Sequence, residues 1–407
     1  MSKIICYYVT GHGLGHASRT IGVINHLLRE GCFVHVVSNV DKLFFEQSMD
    51  DFTHHRRNFS FHSRTLDSGA VQDGPLQVNA KATLQKYYEV VHVNREMLIR
   101  GEVAFLSESG VQLVLVDATP IACVAAVRAG CFVKLLTNFT WCNIYKQMLQ
   151  SHCMDMEEDV KLLYESMIQQ CENDCCCASS YIQLPGACPL PDGFAGERVL
   201  QAPLTAREAV GFVETLKLTA LRECFKWVFS ATASVKILLL GFGGHSNEWH
   251  LKDEFLPLGW VCLVLGAKAN EMPSRRFVSL PQTSYVPNYI AIADAVLGKL
   301  GFGFVSECVV NATPLIYIPR VCWPEEVFLE QYICGLSAHN ALLMCSADFM
   351  EGNWSTYLDK ASSCKQQLLA DPCRSASGVE VLNDTQPGTK ASEALSAIVD
   401  LILDLSV

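Results

Sequence analysis

Two doubly wound α/β domains facing each other across a cleft are the fold this sequence predicts. Short strand-like apolar runs alternate with segments of helical period along most of the chain. A strand running into a glycine-rich loop occurs at Ile4 and again at Ile237, and 407 residues suffice for two domains at about 100 to 200 residues each. Half of the residues are hydrophobic and 18% are charged, which excludes disorder over most of the length.

Ile4 to Val9 is the first apolar run, and Gly11-His12-Gly13-Leu14-Gly15-His16 follows it. Ile21, Ile24, Leu27 and Leu28 then repeat at helical spacing up to Gly31, and Phe33 to Val37 is the next strand. Strand, loop, helix and strand make a βαβ unit with a parallel pair. Val111 to Val116 is a further buried strand ending at Asp117, Ala122 to Ala129 is helical, and Phe132 to Leu136 is a strand again. Pro185, Pro189, Pro191 and Pro203, with Gly186, Gly193 and Gly196, punctuate the chain enough to be read as the interdomain connection.

After a helix over roughly 205–230, the second half opens as the first does. Strand Ile237 to Leu240 runs into Gly241-Phe242-Gly243-Gly244. Strand Val261 to Leu265, a helix over 287–293, strand Ala295 to Leu297, the loop Gly298 to Gly303, a helix Val305 to Val310 and strand Leu315 to Ile318 follow. Residues 351–390 read as loop plus an irregular helix, and Leu395, Ile398, Val399, Ile402 and Leu405 as a terminal helix docked back on the body. The division expected is 1–200, 201–390 and the terminal helix 391–407.

A formal charge of −11 speaks against a sequence-independent grip on nucleic acid or an anionic membrane. No apolar run approaches the roughly 18 to 20 residues that span a bilayer, and the first one is too short for a signal-peptide core. The expectation is a cytoplasmic chain whose 19 cysteines are reduced core residues. The cluster Cys171, Cys175, Cys176 and Cys177 lacks the second ligand pair that structural zinc needs, so no metal is expected there.

The first glycine loop fails as a dinucleotide fingerprint, because the last glycine position is His16 and the second strand ends in Ser38-Asn39 without an acidic residue. What remains is a tight turn that puts His16 at a helix start on the sheet's carboxyl edge. A histidine there suits a general base, since its ordinary pKa lies near neutrality. An isolated histidine at such a place more often caps the helix or bonds a loop carbonyl. Asp117 changes the weighting, because it ends another strand of the same sheet and can accept from the imidazole. Its alternative role is capping the helix that starts at Pro120.

In the second half, the backbone N–H groups of Gly298 to Gly303, with the helix start beyond them, can hold a diphosphate. Glu307, one turn in, can accept from two ribose hydroxyls; the alternative is an ordinary turn with a favourable first-turn anion. Glu325 and Glu326, as an adjacent acidic pair, are more often solvated than part of a site. No Asp-x-Asp follows an apolar strand, which argues against metal-chelating sugar transferases.

The stretches Tyr7 to Arg19, Asp117 to Cys123, Thr137 to Trp141, Leu184-Pro185-Gly186, Gly241 to His245, Gly298 to Gly301 and Glu325 to Leu329 resemble the glycosyltransferase-like amino-terminal half of plant L-arabinokinases. The resemblance runs to about residue 360. The sugar-kinase half of those proteins is missing from this sequence, so arabinokinase activity is not carried over. More broadly the pattern is similar to GT-B glycosyltransferases that use nucleotide diphosphate sugars. That resemblance implies a Rossmann-like pair of domains and a base at His16 oriented by Asp117. His12, Gly13 and Gly15 would lie on the acceptor side, Gly243 and Gly244 would face the donor phosphates with Gly301 and Gly303, and Tyr285 and Val286 would lie near the nucleotide base. Glu307 would hold the ribose and Glu325 and Glu326 the donor sugar. It further implies inverting, metal-independent transfer of a hexosyl or pentosyl group, UDP-linked by preference, to an acceptor hydroxyl, with no resident cofactor. The chain departs from the pattern at Phe304, where a phosphate-binding Thr is common, and at Thr313, where Gly is usual before Pro314. Those departures keep two rivals: a degenerate sugar- or nucleotide-binding regulatory subunit, and an epimerase or hydrolase on the same fold.

Overall fold

Strands β1 (Ile4–Val9), β2 (Phe33–Ser38), β3 (Phe59–Ser63), β4 (Leu113–Asp117), β5 (Phe132–Thr137), β6 (Ser180–Gln183) and β7 (Val199–Gln201) form one parallel sheet, in the order β3-β2-β1-β4-β5-β6-β7. A second parallel sheet contains β8 (Lys236–Gly241), β9 (Trp260–Leu265), β10 (Phe277–Leu280), β11 (Ala295–Gly298), β12 (Leu315–Tyr317) and β13 (Ala341–Leu343), in the order β10-β9-β8-β11-β12-β13. These come from a computed structural model that describes residues 3–49, 52–194, 196–207, 209–225, 235–243, 250–281, 284–370 and 389–405.

Both central strands are apolar on both faces, as a parallel sheet covered by helices requires. In β1, Ile5, Tyr7 and Val9 enter one core while Cys6 and Tyr8 enter another. In β8, Ile237 and Leu239 share the core of Ile5 and Tyr7, whereas Leu238 and Leu240 face a third. One apolar core therefore runs continuously from the first sheet to the second. The strand order reverses between β1 and β4 and between β8 and β11, and such switch points open crevices at the carboxyl edge. Both glycine loops lie at these two points.

Most expected elements are present within a residue or two. The helix expected over roughly 205–230 is Val213–Cys224, and residues 226–234 lie outside the described ones. The stretch read as interdomain connection contains β7, which pairs with β6 as the sheet's edge. Three residues are too short for an apolar pattern to stand out among prolines. The segment from 351 is also more regular than expected: Ser355–Ala370 is a 16-residue helix, while 371–388 lie outside the described residues. Its Leu358, Ala361 and Cys364 are buried in a core with residues of the second sheet, so packing outweighs its polar composition.

The terminal helix Thr389–Leu403 docks on the first lobe. Its Leu395 packs against Gly22, and Ile398, Val399 and Ile402 enter the shared core. Lys134, buried on β5, donates to the carbonyls of Leu401 (2.9 Å) and Asp404, while Lys3 donates to Leu403 O at 2.8 Å. Two ammonium groups thus satisfy the orphaned carbonyls of the helix end. Among the described residues no helix is long and apolar enough to cross a membrane.

Candidate active site

The carboxyl ends of β1 and β4 run side by side, with Val9 opposite Asp117 and Thr10 N donating to Asp117 O at 3.1 Å. Gly13, with φ of 69°, takes the left-handed backbone that a side chain resists, and the helix Leu14–Arg29 begins at once. That places His16 in its first turn, over Asp117. His16 Nδ1 lies 2.9 Å from Asp117 Oδ1, and both residues are buried. Ala118, just after the carboxylate, adopts φ of 58°, the left-handed region that a non-glycine residue rarely enters. Asp117 does not cap the next helix; Thr119 stands at the cap position.

The sequence reading missed the third member of this cluster. Arg19, one turn after His16, sends Nε to Asp117 Oδ2 (2.8 Å) and Nη2 to Oδ1 (2.5 Å). Its Nη1 donates to Asn138 Oδ1 at 2.5 Å and its Nη2 to Thr137 Oγ1 at 3.0 Å. Burial works to raise the pKa of Asp117, but the Arg19 guanidinium and the hydrogen bonds from Arg19 and His16 outweigh it and hold the carboxyl well below the usual carboxylate range. Arg19 sits at helical spacing from His16, a signal the sequence contained.

Asp67 was missed for another reason: nothing in its sequence surroundings marks it. It lies beyond β3, where Gly69 N donates to it at 3.1 Å and Thr10 and Thr119 bond it. Burial pushes its carboxyl up to about 6 against those hydrogen bonds. Because the folded chain holds this proton more tightly than the unfolded chain, stability falls as pH rises from about 4 to about 6, by about 3 kcal/mol, and this group adds no further slope above. Urea unfolding of wild type and Asp67→Asn should show the variant gaining on wild type across that window. Parallel pH curves would contradict this.

His12 does not join the dyad. Its Nδ1 accepts from Ala70 N at 3.1 Å, and its ring lies 5.3 Å from Trp141 and 5.0 Å from Trp323. Trp323 belongs to the second half, yet it packs among His12, Phe139 and Trp141 of the first. It follows Cys322, whose φ of 62° is a second left-handed non-glycine residue at the cleft. Val321 pairs with Gln77 beside it, so the lobes are joined by backbone as well as side chains.

On the opposite side, Gly298 pairs with Gly241 so closely that a Cβ would lie 2.3 Å from Gly241 O. Gly301 caps the helix Phe302–Val310, and the space a Cβ on Gly303 would take reaches the Cα of Gly15 at 4.0 Å. The first turns of two helices therefore meet across the cleft, and neither carries an acidic residue. Arg19 closes the contact, its guanidinium 4.9 Å over the Phe302 ring. Phe304 lays its ring against Gly298. Lys299 is 9% exposed, next to Gly243, and burial together with Arg320 pushes its ammonium down to about 7 despite Glu326 and Glu325. Gly244 lies outside the described residues.

The three expected carboxylates are buried and each has its own partner. Arg207, from the segment joining the two sheets, pairs with Glu307 Oε1 at 2.8 Å and lies 5.5 Å over Tyr285. Burial raises the Glu307 carboxyl and Arg207 opposes it; among the described residues nothing bonds Oε2. Tyr285 and Val286 stand at the start of the helix Val286–Ile292. Glu325 and Glu326 are not a solvated pair, because they open a helix that faces the cleft. Glu325 accepts from Asn138 Nδ2 (2.7 Å) and Trp323 Nε1 (2.8 Å), and Glu326 from Arg320 N (2.7 Å) and Nε (2.6 Å). The described cysteines are unbridged, and among the described residues no group of His, Cys, Asp and Glu is arranged to hold a metal ion.

No protein-family model matches the chain. Over 367 residues it is 34% identical to the L-arabinokinase of Arabidopsis thaliana, covering 89% of this chain and 32% of that protein. The chain thus spans about a third of the length of the curated relative it matches. Among solved structures it is similar to a Polygonum tinctorium UDP-glucosyltransferase capable of glucosylating indoxyl, at a TM-score of 0.61 and 14% identity over 99% of each chain. It is also similar to Arabidopsis thaliana UGT89C1 complexed with UDP-L-rhamnose (TM-score 0.60, 13% identity, 99% of each chain). Phytolacca americana UGT2 complexed with UDP-2-fluoro-glucose and pterostilbene gives 0.58 and 14%, over 98% of this chain and all of that one. The fold is GT-B, and the resemblance to L-arabinokinase read from the motifs stands.

Proposed function

We propose that this chain transfers a sugar from a nucleotide diphosphate sugar, UDP-linked, to an acceptor hydroxyl with inversion and without a metal. The observation that carries the reading is the meeting of two acid-free helix starts across one cleft, with the His16–Asp117 pair beside them. Helix starts present unpaired N–H groups and the positive end of the dipole, which suits a diphosphate. Lys299, whose ammonium burial and Arg320 push down to about 7, stands at the same loop, where a bound diphosphate would favour its charged form.

In this reading Asp117 accepts from His16 Nδ1 and leaves Nε2 to take the acceptor's proton. The acceptor oxygen attacks the anomeric carbon from the face opposite the diphosphate, and the bond from that carbon to the diphosphate oxygen breaks. The helix ends and Lys299 meet the charge that develops on the leaving group, and Asp117 offsets the imidazolium. Contact between the lobes keeps water from the donor. Glu307, with Oε2 available, receives the ribose hydroxyls; Glu325 and Glu326 face the donor sugar. The cytoplasm is the compartment this reading fits.

Glu307→Ala should weaken UDP binding by about 1.5 to 3 kcal/mol, as for a lost charged hydrogen bond. Isothermal titration reads it, and an unchanged affinity would remove Glu307 from the site. The reaction class is tested by UDP release from a panel of UDP-sugars with and without hydroxyl acceptors. Acceptor-dependent release is the expected result; release without acceptor would mark a hydrolase or epimerase. Phe304 against Gly298 favours one rival, a subunit that binds without turnover, and no release under any condition would establish it.

A further inference from the structure

We infer that Arg19 is a positioning residue that fixes the His16 imidazole in the tautomer a general base needs, by committing its own hydrogens elsewhere. Its purpose rests on the base reading above.

Three atoms crowd one corner. His16 Nδ1 is 2.9 Å from Asp117 Oδ1, Arg19 Nη2 is 2.5 Å from the same oxygen, and Nη2 and Nδ1 are 2.8 Å apart. Two arrangements of protons satisfy those distances taken singly. In one, Nδ1 is bare and accepts from Arg19, which leaves the proton on Nε2, where a base needs a lone pair. In the other, Nδ1–H donates to Asp117 and Nε2 is bare.

The remaining partners decide between them. A guanidinium Nη carries two hydrogens and accepts none. One Nη2 hydrogen completes the fork on Asp117 with Nε. The other goes to Thr137 Oγ1 at 3.0 Å, and Thr137 is itself oriented to receive it, because its own hydroxyl donates to Phe139 O at 2.9 Å. Nothing on Nη2 is left for the imidazole, so Nδ1 must carry the proton, and Asp117 is its acceptor. Arg19 cannot lose its charge to escape this arrangement.

The same count extends across the cleft. Arg19 Nη1 fills Asn138 Oδ1, so the amide turns its Nδ2 to Glu325 Oε1, and Trp323 Nε1 fills Oε2. A single pattern of donors and acceptors thus runs from the imidazole to a carboxylate on the second lobe. Thr137 sets its direction.

The test reads the tautomer without turnover, so its outcome is separate from that of the transferase assay. Two-bond proton–nitrogen spectra of ¹⁵N-histidine-labelled full chain, at about pH 8 where an ordinary histidine is neutral, give the pattern of His16, assigned by its loss in His16→Gln. Wild type should show Nδ1 protonated and Nε2 bare. Thr137→Val keeps the shape and the charges but frees one Nη2 hydrogen, and the pattern should move toward Nε2–H. If that variant does not fold, Arg19→Lys, which cannot fork, is read in the same way and should give the same movement. A proton on Nε2 in wild type, or an Nδ1–H pattern unmoved in the folded variant, overturns the proposal.

Discussion

Replacing His16 with alanine is expected to lower sugar transfer about 10²- to 10⁴-fold while UDP binding persists. The size follows from losing a positioned base with the rest of the site intact. The separation of effects follows from the architecture: the imidazole sits at the carboxyl edge of β1 and β4, whereas the glycine loop, Lys299 and Glu307 belong to the other lobe. The variant should also fold, because Asp117 keeps the Arg19 fork without the imidazole. Steady-state kinetics with a competent donor and acceptor, alongside UDP titration, check both halves. A transfer rate unchanged by the substitution would mean that another group takes the proton.

Asp117→Ala should cost about 3 to 5 kcal/mol of stability, because it strands the charge of Arg19 in the interior. Asp117 is fully buried and receives two guanidinium bonds and the imidazole. Removing both charges is a different matter, since apolar replacement of a buried pair is often near neutral. Arg19→Met added to Asp117→Ala should therefore recover part of the loss. Urea unfolding of the single and double variants measures this. A loss no larger than that of an exposed pair, about 1 kcal/mol, would show that the guanidinium finds water or another partner.

The strands with the longest apolar runs were legible from sequence alone, because a buried parallel strand writes its hydrophobicity on every residue. β1, β4, β8 and β9 are of this kind, and with them come the loops at their ends, hence His16 and Asp117. β7, three residues that are only half-buried or exposed at the sheet's edge, depends on its neighbour for its pairing and carries no such mark. The polar partners were harder. Arg207 reaches Glu307 from 100 residues away, and Asn138 reaches Glu325 from 187, distances that only the assembled lobes close. Glu325 and Glu326 looked solvated because an acidic pair usually is; burial is possible here because Asn138, Trp323 and Arg320 supply a donor for each carboxylate oxygen. Arg19 and Lys299 lie inside motifs dominated by glycine and histidine, where the spacing alone does not show which partner a cation meets.

Calorimetric titration of UDP into the full chain tests the central claim most directly, since the base role proposed for His16 presupposes a nucleotide diphosphate at the facing helix starts. The account predicts one saturable site per chain with heat that disappears when uridine replaces UDP. No heat with UDP, GDP or any of their sugar conjugates would contradict it, leaving the GT-B fold without the chemistry assigned to it.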